Sequence, residues 1–191
     1  MNHAYVFLAE GFEETEGLCT IDILRRAGIY TLAVSISDRL EVKGSHGIVV
    51  TADTTYDGFC SEEEELDESD VLVFPGGMPG TKNLASFGDL MTLMKEHAAA
   101  GGYVAAICAA PGYVLSQLDE NMLIGRKITC YDGCEEALLA KGADYVKVPA
   151  ITDGRIISGR GPAFAIDFAL EIVRAILSEE AVEKVRKGLL I

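Results

Sequence analysis

The chain has 191 residues, 49% hydrophobic and 24% charged, a globular balance in a length that buries a full core without disulfides or metal staples. Its 16 Lys and Arg face 30 Asp and Glu for a formal net charge of −14. With no local basic patch to offset that charge, nucleic-acid binding is not expected. There is no run of ~18 apolar residues to span a membrane, and five cysteines at irregular spacing form no disulfide framework and point to a reducing cytoplasm.

Residues 4–9 read as a strand reached without a basic leader or cleavage site, so no secretory signal is expected. Residues 13–27 read as a helix stopped by Gly28, and residues 30–35 as a second strand. Residues 42–43 and 48–51 are short β-branched pieces, a small excursion of strands. The acidic run over residues 61–70 reads as a solvated surface segment. Residues 71–74 form a buried strand ended by Pro75-Gly76-Gly77. Residues 89–100 read as a helix with Leu90, Leu93, Met94 and His97 on one stripe, followed by a buried strand over 103–107. A helix is predicted over 111–118, with Pro111 in its first turn where a missing N–H does no harm. A short strand over 127–129 and a short helix over 134–140 come next. Asp153-Gly154 signals a hairpin turn between two short strands. Residues 162–177 read as a helix striped by Ile166, Leu170, Val173 and Leu177, and Ser178 caps a last helix that opens with Glu179 and Glu180.

Strands alternating with helices predict one α/β domain over residues 1–191, with a mostly parallel sheet covered on both faces. Sites in such sheets form at the carboxyl ends of strands, here after Ala9, Phe74 and Ile107. After Ile107 stands Cys108, with Ala106 and Ala110 two positions away on either side. A sharp strand-to-helix turn carrying a nucleophile tolerates only such small flanks. Bare N–H groups and a helix dipole there favour a thiolate; a buried structural cysteine is the alternative. After Phe74, the N–H groups of Gly77 and of Ala109 suit an oxyanion hole, with a plain tight turn as the alternative. After Ala9 come Glu10, Glu13, Glu14 and Glu16. Glu13 and Glu14 suit a helix's first turn. Glu16, one turn further in, faces Cys108 if it points back at the sheet edge, where burial would let it hold a proton.

Five segments in order, AEGFEETE at 9–16, RRAG at 25–28, VFPGGMPGTKNL at 73–84, AAICAAP at 105–111 and GRGPAFAIDFAL at 159–170, resemble the DJ-1/PfpI (ThiJ) superfamily over nearly the whole chain. The resemblance is closest to the branch containing the human Parkinson-associated protein deglycase. It implies a flavodoxin-like, class I glutamine amidotransferase-like sheet sandwiched between helices, and a homodimer. It implies a reactive cysteine at Cys108, a partly protonated glutamate at Glu16 bonded to it, and backbone donors at Gly77 and Ala109. It also implies a pocket that includes Gly76, Gly161 and Pro162, with Arg26 near a dimer interface. Two positions depart from the family pattern. Tyr131 stands where many relatives carry a pocket histidine, and Ala109 stands where the peptidase branch carries a histidine next to the nucleophile.

The function so implied is a cofactor-free, metal-free enzyme acting on a small reactive aldehyde or a glycated substrate, as a glutathione-independent glyoxalase or a protein deglycase. The rival is an oxidative-stress sensor and redox-regulated chaperone built on the same cysteine. A peptidase or amidase ranks lower, because it needs a histidine beside Cys108. Cys130 and Cys134 lack the second ligand pair of a structural zinc site; Cys130 beside Tyr131 is a candidate partner for an oxidised Cys108. Cys19 reads as packing, Cys60 as exposed, His97 as a satisfied core histidine, and His46 as a turn residue able to approach a dimer neighbour's site.

Overall fold

The computed structural model describes residues 2–61 and 66–191. In chain order the elements are β1 (His3–Leu8), α1 (Glu14–Arg26), β2 (Tyr30–Ser35), β3 (Glu41–Lys43), β4 (Val49–Thr51), β5 (Thr54–Thr55), α2 (Tyr56–Ser61), β6 (Val71–Phe74), α3 (Gly80–Ser86), α4 (Gly88–Ala99), β7 (Tyr103–Ile107), α5 (Ala110–Tyr113), α6 (Glu120–Leu123), β8 (Lys127–Ile128), α7 (Glu136–Ala140), β9 (Asp144–Tyr145), β10 (Ala150–Asp153), β11 (Ile156–Gly159), α8 (Ala165–Ile176) and α9 (Glu179–Leu189). Seven strands form the main sheet in the order β10-β11-β7-β6-β1-β2-β5. Every pairing in it is parallel except β10 with β11. β3 and β4 make the expected excursion as an antiparallel pair.

The central strands are apolar on both faces because both faces are covered. Ala4, Val6 and Leu8 point into one core with α1, α8 and α9, while Tyr5 and Phe7 point into the other with Leu90, Met91 and Met94 of α4. This two-residue alternation is the strand's own periodicity. The chain steps from β1 to β2 on one side and later to β6 on the other side of β1. That reversal opens a crevice at the carboxyl ends of β1 and β6, the place where such sheets hold their sites.

Several sequence expectations need correction. The helix expected over 111–118 is one turn, α5, followed by a 3-10 turn at Leu115–Gln117. A Cβ on Gly112 would stand 1.9 Å from the Cys134 carbonyl oxygen, so the segment packs backbone to backbone. The Ser116 hydroxyl also donates back to the Gly112 carbonyl at 2.6 Å, the kind of side-chain bond that bends helices. Of the stripe expected over 162–177, Leu170 and Val173 are buried, but Ile166 and Leu177 at its two ends are 38% and 43% exposed; the buried face is Ala165, Phe168, Ala169, Leu170, Ile172, Val173 and Ile176. In the acidic run, 62–65 lie outside the described residues. Asp70 is buried rather than solvated, accepting bonds from the N–H groups of His3 and Asp67, each at 2.9 Å.

Candidate active site

Cys108 is the first residue beyond β7, with φ of 65°. That left-handed backbone costs an L-residue roughly 1–2 kcal/mol and persists only where the surroundings impose it. Here the Cys108 N–H donates to the Gly159 carbonyl at 2.9 Å, and its own carbonyl accepts the Tyr131 N–H at 2.8 Å. The flanking Ala106 and Ala110 are fully buried, so larger side chains would not fit the turn. The Cys108 side chain lies almost wholly under the surface, 8% exposed.

Glu16 sits in the first turn of α1 with no exposure at all. Its Oε2 accepts the Gly76 N–H at 2.8 Å, its carboxyl hydrogen-bonds the Cys108 thiol, and Oε1 has no N–H or O–H partner among the described residues. Gly76 makes this meeting possible. A Cβ there would lie 2.6 Å from both the Cys108 Cβ and Glu16 Oε2, closer than real Cβ contacts allow. Gly77, at φ 91°, is equally constrained, since its Cβ would stand 2.4 Å from the Glu13 nitrogen. The loop after β6 therefore clamps the start of α1, an attachment completed by the Glu13 N–H donating to the Gly76 carbonyl at 2.9 Å.

Burial is the main force on both titrating groups, because a charge in a poorly solvated site is penalised. It pushes the Glu16 carboxyl up to about 7, against the hydrogen bonds from Cys108 and Gly76, with the Glu13 charge adding to the rise. It also raises the Cys108 thiol, helped by the negative charge of Glu16 and opposed by the N–H groups of Ala109 and Gly77. This corrects the expectation of a dipole-favoured thiolate. α5 is a single turn, and burial together with the neighbouring Glu16 charge works against ionising the sulfur.

Tyr131, Gly161 and Pro162 line a surface cavity of about 450 Å³ together with Asp132, Arg160, Ala163 and Phe164. Gly76 lies against Cys108 rather than in that lining. The sequence reading missed Asp132, Arg160 and Phe164. Arg160 stood in the quoted GRGP run, but its partner Asp132 is 28 residues away. Arg160 grips Asp132 through two oxygens at 2.9 and 3.0 Å. Its hydrogen bond, with those of Tyr145 and Lys147, holds the Asp132 carboxyl down at about 2.

The remaining candidates lie apart from the thiol. Arg26 is exposed and bonds Asp22 at 2.6 Å. His46 is a turn residue whose Nδ1 stands 3.0 Å from Glu14 Oε2 and 3.4 Å from Glu13 Oε2. Burial works to raise Glu14, yet hydrogen bonds from His46 and Ile48 hold it at about 2. These three residues are the group among those described whose ligand atoms approach within 4.8 Å. Their mutual hydrogen bonds, joined by the Ser45 hydroxyl, account for the cluster. His3 and His97 both attach to Asp70, at 3.4 and 3.1 Å. Asp70 precedes β6, so both histidines sit at the edge of the sheet opposite Cys108. All five cysteines are free thiols.

A parallel α/β sheet with a strained cysteine and a buried carboxyl at its carboxyl edge defines a class of cysteine-centred proteins, and comparison places the chain within it. The chain belongs to the DJ-1/PfpI family, whose sequence profile matches residues 2–175. It is 32% identical to Protein dj-1beta of Drosophila melanogaster over 98% of this chain and 96% of that protein. The crystal structure of Drosophila melanogaster DJ-1beta superposes with a TM-score of 0.87, covering 100% of this chain and 99% of that one at 33% identity. A structure described as Toxoplasma gondii DJ-1, oxidized, gives a TM-score of 0.87 at 31% identity, covering 98% of this chain and 97% of that one. The Glutathione-independent glyoxalase DJR-1.2 of Caenorhabditis elegans is 28% identical over 94% of this chain and 91% of that protein.

Proposed function

We propose that the chain is a cofactor-independent cysteine enzyme of reactive carbonyls, acting as a glutathione-independent glyoxalase or a protein deglycase. The observation that carries this reading is the buried Glu16 carboxyl, raised to about 7 and bonded to the Cys108 thiol. A group that titrates near working pH is the best general acid and base. Ionised Glu16 takes the thiol proton, and Sγ adds to the aldehyde carbon of methylglyoxal. The resulting alkoxide is held by the N–H groups of Gly77 and Ala109 and takes the proton back from Glu16, giving a neutral hemithioacetal. Glu16 then removes the hydrogen from that carbon as the hydroxyl proton passes to the neighbouring carbonyl oxygen, and returns its proton to the neighbouring carbon of the resulting enediol, leaving a thioester of a 2-hydroxy acid. Water cleaves the thioester, restores the thiol and releases lactate, so the net change is addition of one water. Early glycation adducts, released by water, give the same acid. The relative named a glyoxalase supports a small carbonyl substrate. The protein would work in a reducing cytoplasm as a homodimer; no helix among the described residues is long and apolar enough to cross a membrane. A peptidase or amidase is disfavoured, because none of the histidines bonds Cys108.

The oxidized state named for the Toxoplasma relative favours a second reading, peroxide sensing. A Cys108 thiolate would take one oxygen from each of two peroxide molecules, releasing two waters and forming a sulfinate bonded to protonated Glu16. The test is lactate formation from methylglyoxal without glutathione. The native protein should turn over, Cys108→Ala should not, and Glu16→Gln should fall by ~10²–10⁴-fold, the usual worth of a general acid-base group. No lactate from the native protein would overturn the enzymatic reading and leave the sensor in first place.

A further inference from the structure

The cavity lined by Tyr131, Asp132, Arg160, Gly161, Pro162 and Phe164 measures about 450 Å³, while methylglyoxal offers only a methyl group beyond its two carbonyls. Pockets of ~300–1,000 Å³ suit much larger ligands. Both walls are tied to the nucleophile's own backbone. One follows Gly159, which accepts the Cys108 N–H at 2.9 Å, and the other begins at Tyr131, whose N–H donates to the Cys108 carbonyl at 2.8 Å. The lining is aromatic and apolar. The Tyr131 ring is 53% exposed and passes 3.5 Å from where a Gly161 Cβ would stand, so the missing side chain keeps that side of the ring open. Pro162 and Phe164 complete the far wall. Arg160 of the lining is engaged by Asp132, which also accepts a bond from Lys147 outside it.

We propose that this cavity is a substituent subsite, and that the preferred substrates are 2-oxoaldehydes bearing an aromatic or extended apolar group, with Tyr131 and Phe164 setting the preference. The proposal rests on the carbonyl chemistry assigned to Cys108, and its test separates the two. Phenacyl bromide and bromoacetone both alkylate a thiolate, Sγ forming a thioether as bromide leaves and the thiol proton passes to solvent. The ratio of their rate constants at Cys108, divided by the same ratio for glutathione, measures the subsite with no need for turnover. That quotient should exceed tenfold in the native protein, within the ~10–200-fold range of apolar pocket discrimination, and fall several-fold in Phe164→Ala and in Tyr131→Ala. Tyr131 is half-exposed, so its truncation is informative even if Phe164→Ala fails to fold. In parallel, kcat/KM for phenylglyoxal should exceed that for methylglyoxal. A quotient near one, or one that survives both substitutions, overturns the subsite even if methylglyoxal is turned over. A large quotient that both substitutions lower, with no turnover of either aldehyde, supports the subsite and overturns the enzymatic reading.

Discussion

Replacing Glu16 by Gln removes the carboxyl's own titration and, with it, the negative charge that helps raise the Cys108 thiol. The amide keeps the shape of the carboxyl and an oxygen for the Gly76 N–H, 2.8 Å from Oε2. Unfolded, Glu16 ionises near its ordinary 4.5; folded, burial delays this to about 7. Between those values the folded state holds a proton that the unfolded state has released. Stability therefore falls as pH rises, by ~1.4 kcal/mol per pH unit. The contribution is fully present below 4.5 and lost through about 7, for a total of about 3 kcal/mol. For a chain of this size that corresponds to roughly 6–12 °C in Tm. The measurement is urea unfolding of native protein and Glu16→Gln from about pH 4 to about pH 8, taking the difference at each pH so that groups common to both cancel. The variant should gain about 3 kcal/mol on the native protein across that range while losing turnover. A flat difference, or one in which the variant loses ground as pH rises, would show that Glu16 ionises normally and would remove the basis for its role in proton transfer.

Gly76→Ala should destabilise by ~1–3 kcal/mol, the cost of overpacking, because its Cβ would strike Cys108 and Glu16 at 2.6 Å; denaturation should show the loss, with iodoacetamide labelling of Cys108 altered in step. Cys108→Gly should be more stable than Cys108→Ala by about 1 kcal/mol, since only glycine accepts the φ of 65° without strain; a more stable alanine variant would refute the strain. Burial lowers the His97 pKa below its ordinary 6.5, so stability is intact above that value and lost as pH falls through the folded pKa; His97→Gln should flatten this acid limb in pH-dependent unfolding, and an unchanged limb would place the proton uptake elsewhere.

The central strands were legible because burial on both faces leaves uninterrupted apolar runs, VLVF and YVAAI. The two-residue strands β5 and β9 were not. Thr54–Thr55 and Asp144–Tyr145 carry no apolar pattern, and each becomes a strand because a neighbour offers backbone partners. α3 also escaped notice, since its GTKNLAS sequence buries only Gly80, Thr81 and Leu84. The α8 stripe was legible in its middle, where Leu170 and Val173 are buried, and failed at its ends, where Ile166 in the first turn and Leu177 at the C-cap remain exposed.

At the site, Cys108 was legible from its alanine flanks, whereas Glu16 looks like any first-turn carboxylate until its neighbours are known. Its role depends on sheet order. Glu16 follows β1, Gly76 follows β6 and Cys108 follows β7, and the order β7-β6-β1 sets these three ends side by side. The glycine in the middle is the condition for the other two to touch, because any Cβ there would occupy the space shared by carboxyl and thiol. Burial of that contact raises both pKa values. A wider turn at Gly76 would admit water, restore ordinary ionisation to Glu16 and leave the sulfur without an acid-base partner. The contact between Glu16 and Cys108 is thus a property of three loops packed at one edge, and the residue that does most to create it carries no side chain.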